Sequence, residues 1–513
     1  MTGSLLLSIT SGLLLSLAFP PWNADLVAWI AIAPLLTAMQ REKALHRAAI
    51  CGFFFGFAFF LIDLRWITET MISYGKFSTI VAILVFVSMV STLAIIPGVF
   101  SLLSVFFVNR RFDIFFVAPI TWTALEYFRT YIFTGFPWDC LGYSQAHRLP
   151  LIQICDLTGV YGLSFLILMG NVSVVSFVKM LSNRSRRYVF HVCVCLSGLI
   201  VVLAYGFNRL DHFRRGIEDI ETVGVGILQG DVSQDIKWDP ASRSRTFIRY
   251  ERLAENALKQ GANFMIWPET SVPVVIGGSD IAWKYATHIS KKLKVSMLIG
   301  APFESRHREK VNYFNSAFLV EDGELTQRYD KIHLVPFGEY MPLTWILPLG
   351  PGLAAREEDY SAGSQVTLMR PIGFPPFSVL ICYEAIFPDL ARAAVNSGAK
   401  TLVNITNDGW FGISAAPYQH LAMAGFRSVE NRVWLLRAAN TGISAVYDPA
   451  GRLVASLPLM EQGALVYRLP RHPDAGSFYT RHGDIFAWIM IGFLATMIFA
   501  NLPVLRASFR RRI

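Results

Sequence analysis

The sequence predicts a multi-pass α-helical membrane domain of about eight spans joined to a single α/β domain. Three observations predict it. Hydrophobic residues make up 53% of the 513 positions and charged residues only 16%, well to the apolar side of a soluble chain. The apolar excess is confined to 1–207 and 484–503, whereas 208–483 has the composition of an ordinary globular domain. Within 222–447, short β-branched runs alternate with helix-like stretches, the pattern of a layered α/β domain with a mostly buried sheet.

The apolar part divides into runs near 4–19, 25–39, 49–64, 78–108, 114–127, 158–180, 188–206 and 484–503, judged against the ~20 apolar residues a crossing needs. The run 78–108 is long and contains Pro97, and 114–127 is short. Met1-Thr2-Gly3-Ser4 lacks a basic stretch and the next apolar run follows at once, so the first run reads as an uncleaved helix rather than a signal peptide. An even number of spans puts both termini on one side. Thirteen Lys and Arg fall there: Arg41, Lys43, Arg47, Arg110, Arg111, Lys179, Arg184, Arg186, Arg187, Arg506, Arg510, Arg511 and Arg512. Only Arg65, Lys76, Arg129 and Arg148 occupy the opposite short loops. The positive-inside bias then places the termini in the cytoplasm and 208–483 outside it. The net charge of +9 is thereby a membrane feature, and no nucleic-acid partner is expected. The domains expected are 1–207 (about seven helices), 208–483 (the extracytoplasmic α/β domain) and 484–513 (a last helix and a basic tail).

In the α/β region the expected strands are Thr222–Gln229, Asn263–Trp267, Val295–Ala301, Ser378–Ile381, Thr401–Ile405 and Gly442–Tyr447. The expected helices are Pro240–Gly261, with Phe247, Tyr250, Leu253, Ala254, Ala257 and Leu258 on one face, and Ser279–Leu293. Five of the six cysteines lie in or near the membrane part, and Cys382 is the lone thiol of 208–483. A single thiol cannot staple its own domain, which marks it as a candidate reactive group. No CxxC or HExxH spacing occurs, so neither metal nor cofactor is expected.

Three strand ends carry candidate chemistry: Glu269 in Phe264-Met265-Ile266-Trp267-Pro268-Glu269, Lys331 in Tyr329-Asp330-Lys331-Ile332-His333-Leu334-Val335-Pro336-Phe337-Gly338-Glu339-Tyr340, and Cys382 in Ser378-Val379-Leu380-Ile381-Cys382-Tyr383-Glu384. Singly, each has a plainer reading as a solvated turn carboxylate, a surface lysine or an inert core thiol. Together they supply covalent acyl transfer. A thiol needs a base or cation nearby to become a nucleophile. A carboxylate can take its proton, and an ammonium can hold the tetrahedral oxyanion.

The order Glu, Lys, Cys in the contexts Trp267-Pro268-Glu269, Tyr329–Tyr340 and Cys382-Tyr383-Glu384 resembles the nitrilase (carbon–nitrogen hydrolase) superfamily. Combined with seven preceding spans and one following span, the chain more specifically resembles the apolipoprotein N-acyltransferase family. Gly135-Phe136-Pro137-Trp138, Asn407-Asp408-Gly409-Trp410-Phe411-Gly412, Pro417-Tyr418-Gln419-His420 and Thr441-Gly442-Ile443-Ser444 support it. The resemblance implies an α-β-β-α sandwich in a bacterial inner-membrane enzyme with a periplasmic catalytic domain. It implies transfer of an acyl chain from the sn-1 ester of a phospholipid, phosphatidylethanolamine by preference, to the α-amine of diacylglyceryl-cysteine in an apolipoprotein, through a thioester. Cys382 is then the nucleophile, Glu269 the base and Lys331 the oxyanion stabiliser. Glu339 matches the family's second carboxylate, Tyr383 and Glu384 position the site, and Trp238 lies at the substrate entrance. His333 and His420 are left structural.

One stretch points to lipid without the resemblance. Thr344–Ala355, with Trp345 and Leu347, is too rich in Pro and Gly for a helix and too apolar for a solvated loop. It reads as a flap touching the bilayer and binding substrate. The alternative function is a membrane-tethered amidase or nitrilase that cleaves a small C–N bond with water as acceptor. A monomer is expected.

Overall fold

The computed structural model describes residues 1–183, 185–215, 221–278, 283–307, 310–341 and 359–501. Trp345, Leu347 and the rest of the expected flap core, and the basic tail from Arg506, lie outside the described residues. The chain forms two units: one of 1–65, 80–208 and 482–513, the other of 66–79 and 209–481.

The first unit is helical. Four helices are long and apolar enough to cross a membrane: Leu45–Asp63, Thr79–Val108, Val160–Ser182 and Arg186–Phe213. Thr2–Ser16, Leu149–Thr158 and Ile485–Ala500 are apolar but shorter. The expected count of eight is therefore not confirmed among the described residues. The run 25–39 is interrupted, giving the short helices Ala28–Ala31 and Ala33–Arg41, the latter with Pro34 in its first turn. The run 114–127 extends into an 18-residue helix, Ile114–Tyr131, that carries Glu126 and Arg129. Helix Thr79–Val108 continues through Pro97, and Leu45–Asp63 packs so closely on it that a Cβ at Gly52 would sit 2.1 Å from the Pro97 carbonyl oxygen. Glycine is what lets the two backbones approach.

The second unit holds twelve strands among the described residues: β1 (Thr222–Gln229), β2 (Phe264–Ile266), β3 (Ser296–His307), β4 (Lys310–Glu321), β5 (Glu324–Asp330), β6 (Leu368–Met369), β7 (Phe377–Ile381), β8 (Thr401–Thr406), β9 (Trp434–Ala439), β10 (Ser444–Tyr447), β11 (Leu453–Leu457) and β12 (Gly463–Pro470). They form two six-stranded sheets, ordered β12-β1-β2-β3-β4-β5 and β11-β10-β9-β8-β7-β6. Each has a parallel trio at its centre, β1–β2–β3 and β7–β8–β9, with antiparallel strands outside it.

Period-2 alternation decides which residues enter the core. Val223, Val225 and Ile227 of β1 join Ile266, Leu298 and Leu319 on the inner face, against Val379, Ile381, Val403, Ile405, Leu436 and Val446 of the other sheet. The outer face of the first sheet is covered by Pro240–Lys259, whose Phe247, Tyr250, Leu253, Ala254 and Ala257 lie one helical face apart. Asp239 caps this helix by accepting from the Ala241 N–H at 3.1 Å, with Pro240 in its first turn. A Cβ at Gly226 would meet Ala257 Cβ at 2.9 Å, so β1 carries glycine where the helix presses on the sheet. Helices Pro388–Asn396 and Ala416–Asn431 contribute Ala391, Ala394, Leu421 and Ala424 to the cluster on the outer face of the second sheet. The result is the expected α-β-β-α sandwich.

Candidate active site

Glu269 stands three residues beyond β2 and is 6% exposed. Its Oε1 accepts from Asn315 Nδ2 at 2.7 Å and its Oε2 from the Asn407 backbone N–H at 2.8 Å. Lys237 Nζ donates to its carbonyl oxygen at 3.3 Å. The carboxylate is thus oriented at both oxygens, as a general base must be.

Lys331 follows β5 directly and is 1% exposed. Its ammonium lies 2.8 Å from Glu339 Oε2 and 4.0 Å from Glu269 Oε1. Burial by itself lowers the pKa of Lys331, but Glu339, Glu269 and Cys382 outweigh it and hold the group above the ordinary lysine range. Lys331 is therefore a permanent cation. Glu339 is fixed in turn by the Val335 N–H at 2.8 Å on Oε2 and by Asn315 Nδ2 at 2.8 Å on Oε1. One amide, Asn315, so bridges the two carboxylates that flank the lysine.

Cys382 terminates β7 and opens a 3₁₀ turn, Cys382–Ile386, with φ +52°. A non-glycine residue holds this left-handed conformation only where its surroundings enforce it. Burial pushes the thiol well above its ordinary pKa, the Glu269 charge adds to this, and Lys331 opposes it. The resting group is a thiol, and attack requires that its proton be taken.

Glu384 is wholly buried. Its Oε1 accepts from Tyr329 Oη at 2.8 Å and from the Ile332 and His333 N–H groups at 2.7 and 3.0 Å; its Oε2 accepts from the Ile381 N–H at 2.6 Å. It ties the loop that carries Lys331 to the turn that carries Cys382. Burial pushes it up to about 7 against these hydrogen bonds. Tyr383 is half-buried, its ring 5.1 Å from Phe387, and His333 stacks on Phe387 at 3.8 Å. Trp238 ends the short helix Gln234–Lys237 and is 39% exposed, a surface position rather than a core one. The structure thus brings Glu269, Lys331, Glu339, Cys382 and Glu384 together around one ammonium.

Sequence reasoning misses three residues. Asn407 lies in the quoted run Asn407–Gly412, which marks its neighbourhood. Asn315 in mid-β4 and Lys237 beside Trp238 carry no local signal that separates them from ordinary polar positions.

A two-sheet sandwich with a strained cysteine, a lysine and carboxylates at its strand ends defines a protein of the carbon–nitrogen hydrolase class, and residues 225–472 match the carbon-nitrogen hydrolase family model. Residues 11–173 match the model of the apolipoprotein N-acyltransferase N-terminal domain. The chain is 41% identical over 493 residues to an apolipoprotein N-acyltransferase of Geobacter metallireducens, covering 95% of this chain and 93% of that one. It is 33% identical to one of Methylococcus capsulatus, covering 96% and 95%. The chain belongs to the apolipoprotein N-acyltransferase family. Among solved structures, a Nesterenkonia amidase of the nitrilase superfamily is 22% identical with a TM-score of 0.38, covering 48% of this chain and 90% of that one.

Proposed function

We propose that the protein transfers a fatty acyl chain from the sn-1 ester of a phospholipid to the α-amine of diacylglyceryl-cysteine at the N-terminus of an apolipoprotein, by a ping-pong route through Cys382. The observation that carries this reading is the buried ammonium of Lys331 flanked by Glu269 and Glu339, with Cys382 within its field. The names of the relatives supply the acceptor class.

In the first half-reaction Glu269 takes the Cys382 proton as Sγ attacks the ester carbonyl. Lys331 and the Tyr383 backbone N–H stabilise the oxyanion. The C–O bond breaks, Glu269 returns the proton to the departing lysophospholipid, and the thioester remains. In the second, the lipoprotein amine attacks the thioester, Glu269 accepts an amine proton, and the C–S bond breaks to release the amide. The expelled sulfur takes a proton, which its elevated pKa favours.

The count of Lys and Arg favours termini in the cytoplasm and a periplasmic catalytic domain. Trp238, Trp345 and Leu347 are proposed to contact lipid, the protein to act as a monomer, and phosphatidylethanolamine to be the donor. Incubation with phosphatidylethanolamine vesicles followed by mass spectrometry tests the reading. A Cys382 adduct of fatty-acyl mass, discharged by a diacylglyceryl-cysteine peptide and absent in Cys382→Ala, supports it. An adduct discharged by water as fast as by the peptide overturns it in favour of a hydrolase.

A further inference from the structure

The carbonyl of Cys382 meets a polar network that the transfer chemistry does not use. His420 Nε2 lies 3.1 Å from the Cys382 carbonyl oxygen and Asn404 Nδ2 lies 3.4 Å from it. A carbonyl only accepts, so Nε2 carries the proton. Arg437 Nη2 lies 3.1 Å from His420 Nδ1, and a guanidinium only donates, so Nδ1 is the acceptor there. The ring is therefore the neutral Nε2–H tautomer: burial and the Arg437 charge lower its pKa and outweigh the opposing pull of Asp408 and the Cys382 carbonyl. Asp408 closes the network. Its Oδ2 accepts from Arg437 Nη2 at 2.6 Å and its Oδ1 from Thr406 Oγ1 at 2.9 Å; Oδ1 also stands 3.2 Å from His420 Nδ1, which in this tautomer has no proton to donate. Arg437 Nη1 also donates to Asn404 Oδ1. Asn404, Thr406, Asp408, His420 and Arg437 are all buried to within 1% of completely. Buried hydrogen bonds that share Arg437, Asp408 and His420 hold these side chains in one arrangement.

A segment from the other end of the chain seats against its outer side. Trp66 Nε1 donates to Oε1 of Gln419, the neighbour of His420, at 3.1 Å. The Trp66 ring meets Phe411 edge-on at 4.9 Å, and Phe411 meets the His420 ring at 6.4 Å. Thr70 Oγ1 donates to the Trp410 carbonyl at 3.0 Å, and Tyr74 packs on the Trp410 ring at 5.4 Å. In chain order Trp66 comes three residues after the apolar helix Leu45–Asp63.

We propose that His420 is a positioning residue for the nucleophile, holding the Cys382 turn in its strained form through the carbonyl, and that the segment Trp66–Tyr74 braces His420 from outside. The proposal rests on Cys382 as the nucleophile. Orientation of Sγ towards Glu269 and Lys331 then depends on a ring that touches neither substrate nor the reacting atoms. It also depends on a helix, Trp66–Ser73, that belongs by sequence to the apolar half of the chain.

The test uses the full chain in detergent micelles. Iodoacetamide labelling of Cys382 is followed across pH on its own peptide, which separates it from the other thiols and needs no lipid substrate. Acyl-adduct formation from phosphatidylethanolamine vesicles is followed in parallel. In His420→Ala the labelling midpoint moves down by about one pH unit, as the thiol leaves the field of Glu269. Acylation then slows about 100-fold at unchanged KM, the scale of a misplaced reacting atom. His420→Gln, which keeps an N–H donor, restores both. Trp66→Phe, which keeps the ring and loses only the N–H, slows acylation about 3- to 10-fold, the worth of one hydrogen bond. A wild-type midpoint in His420→Ala, failure of Gln to rescue, or wild-type acylation in Trp66→Phe would each overturn the proposal. Absence of an adduct in the unsubstituted protein would count against the function instead, because the labelling result stands without it.

Discussion

Lys331 and Glu339 form a buried ion pair, Nζ to Oε2 2.8 Å, although seven residues of loop separate them. The pair leaves Glu269 at 4.0 Å, close enough to feel the charge and too far to be locked by it. Glu339 thereby leaves Glu269 available for the proton transfer proposed above. Breaking such a pair from one side costs about 3–5 kcal/mol, because the remaining charge stays buried. Glu339→Ala is expected to destabilise the domain on that scale. Glu339→Gln should stay folded but lose acyl transfer, as Lys331 closes on Glu269. Thermal melting beside adduct formation separates the two effects.

Glu269 and Lys331 act on the thiol in opposite senses, the first raising its pKa and the second lowering it. Glu269→Gln should therefore shift Cys382 labelling by iodoacetamide to lower pH, and Lys331→Met should shift it to higher pH. Both should reduce acyl transfer by roughly 10²-fold or more. Shifts in the same direction would show that the two side chains do not act on Cys382 electrostatically.

Asn315 bridges the carboxylates through one amide, donating to Glu269 at 2.7 Å and to Glu339 at 2.8 Å. Asn315→Ala leaves both short of a donor, at a cost of about 1–3 kcal/mol. Asn315→Asp places a third anion between them and should inactivate more completely than Ala. Steady-state kcat for the two variants checks the order, and equal activities would mean the bridge is dispensable.

Glu384 keeps its proton to a higher pH in the folded protein, about 7, than an ordinary carboxylate does. The native state therefore binds the extra proton in that window. Its stability is full below the ordinary carboxylate range and declines as pH rises to about 7, by up to about 3 kcal/mol. Glu384→Gln should flatten this part of the profile, read as melting temperature from pH 4.5 to 8. An unchanged slope in the variant would assign the decline to other groups.

Much of the sandwich was legible because its central strands are apolar and its helices are one-sided. β1 runs from Thr222 to Gln229 as the sequence implies, and helix Pro240–Lys259 ends two residues before the expected Gly261. The hairpin β4–β5 was not, since β5 alternates exposed Glu324, Thr326 and Arg328 with partly buried residues and so resembles a loop. The site shows the same division. Glu269 and Cys382 stand where apolar runs stop, a position visible in one dimension, and Lys331 is marked by its context Tyr329–Tyr340. Asn315 pairs with partners 46 and 24 residues away, and only the closed fold brings them together. The helical unit was legible as helical, but its count of spans was not, because an apolar run reports its length and not the breaks, such as that between Ala31 and Ala33, that divide it.

The strand order has a consequence for biosynthesis. Glu269 follows β2 of one sheet and Cys382 follows β7 of the other, while β12, the last of the described strands in chain order, pairs with β1, the first, from Thr222↔Pro470 to Gln229↔Gly463. A nascent chain that has emerged past Cys382 already owns the reacting groups but still lacks the strand that closes the first sheet. The first sheet, which carries Glu269 beyond its β2, is thus complete only after synthesis passes Pro470.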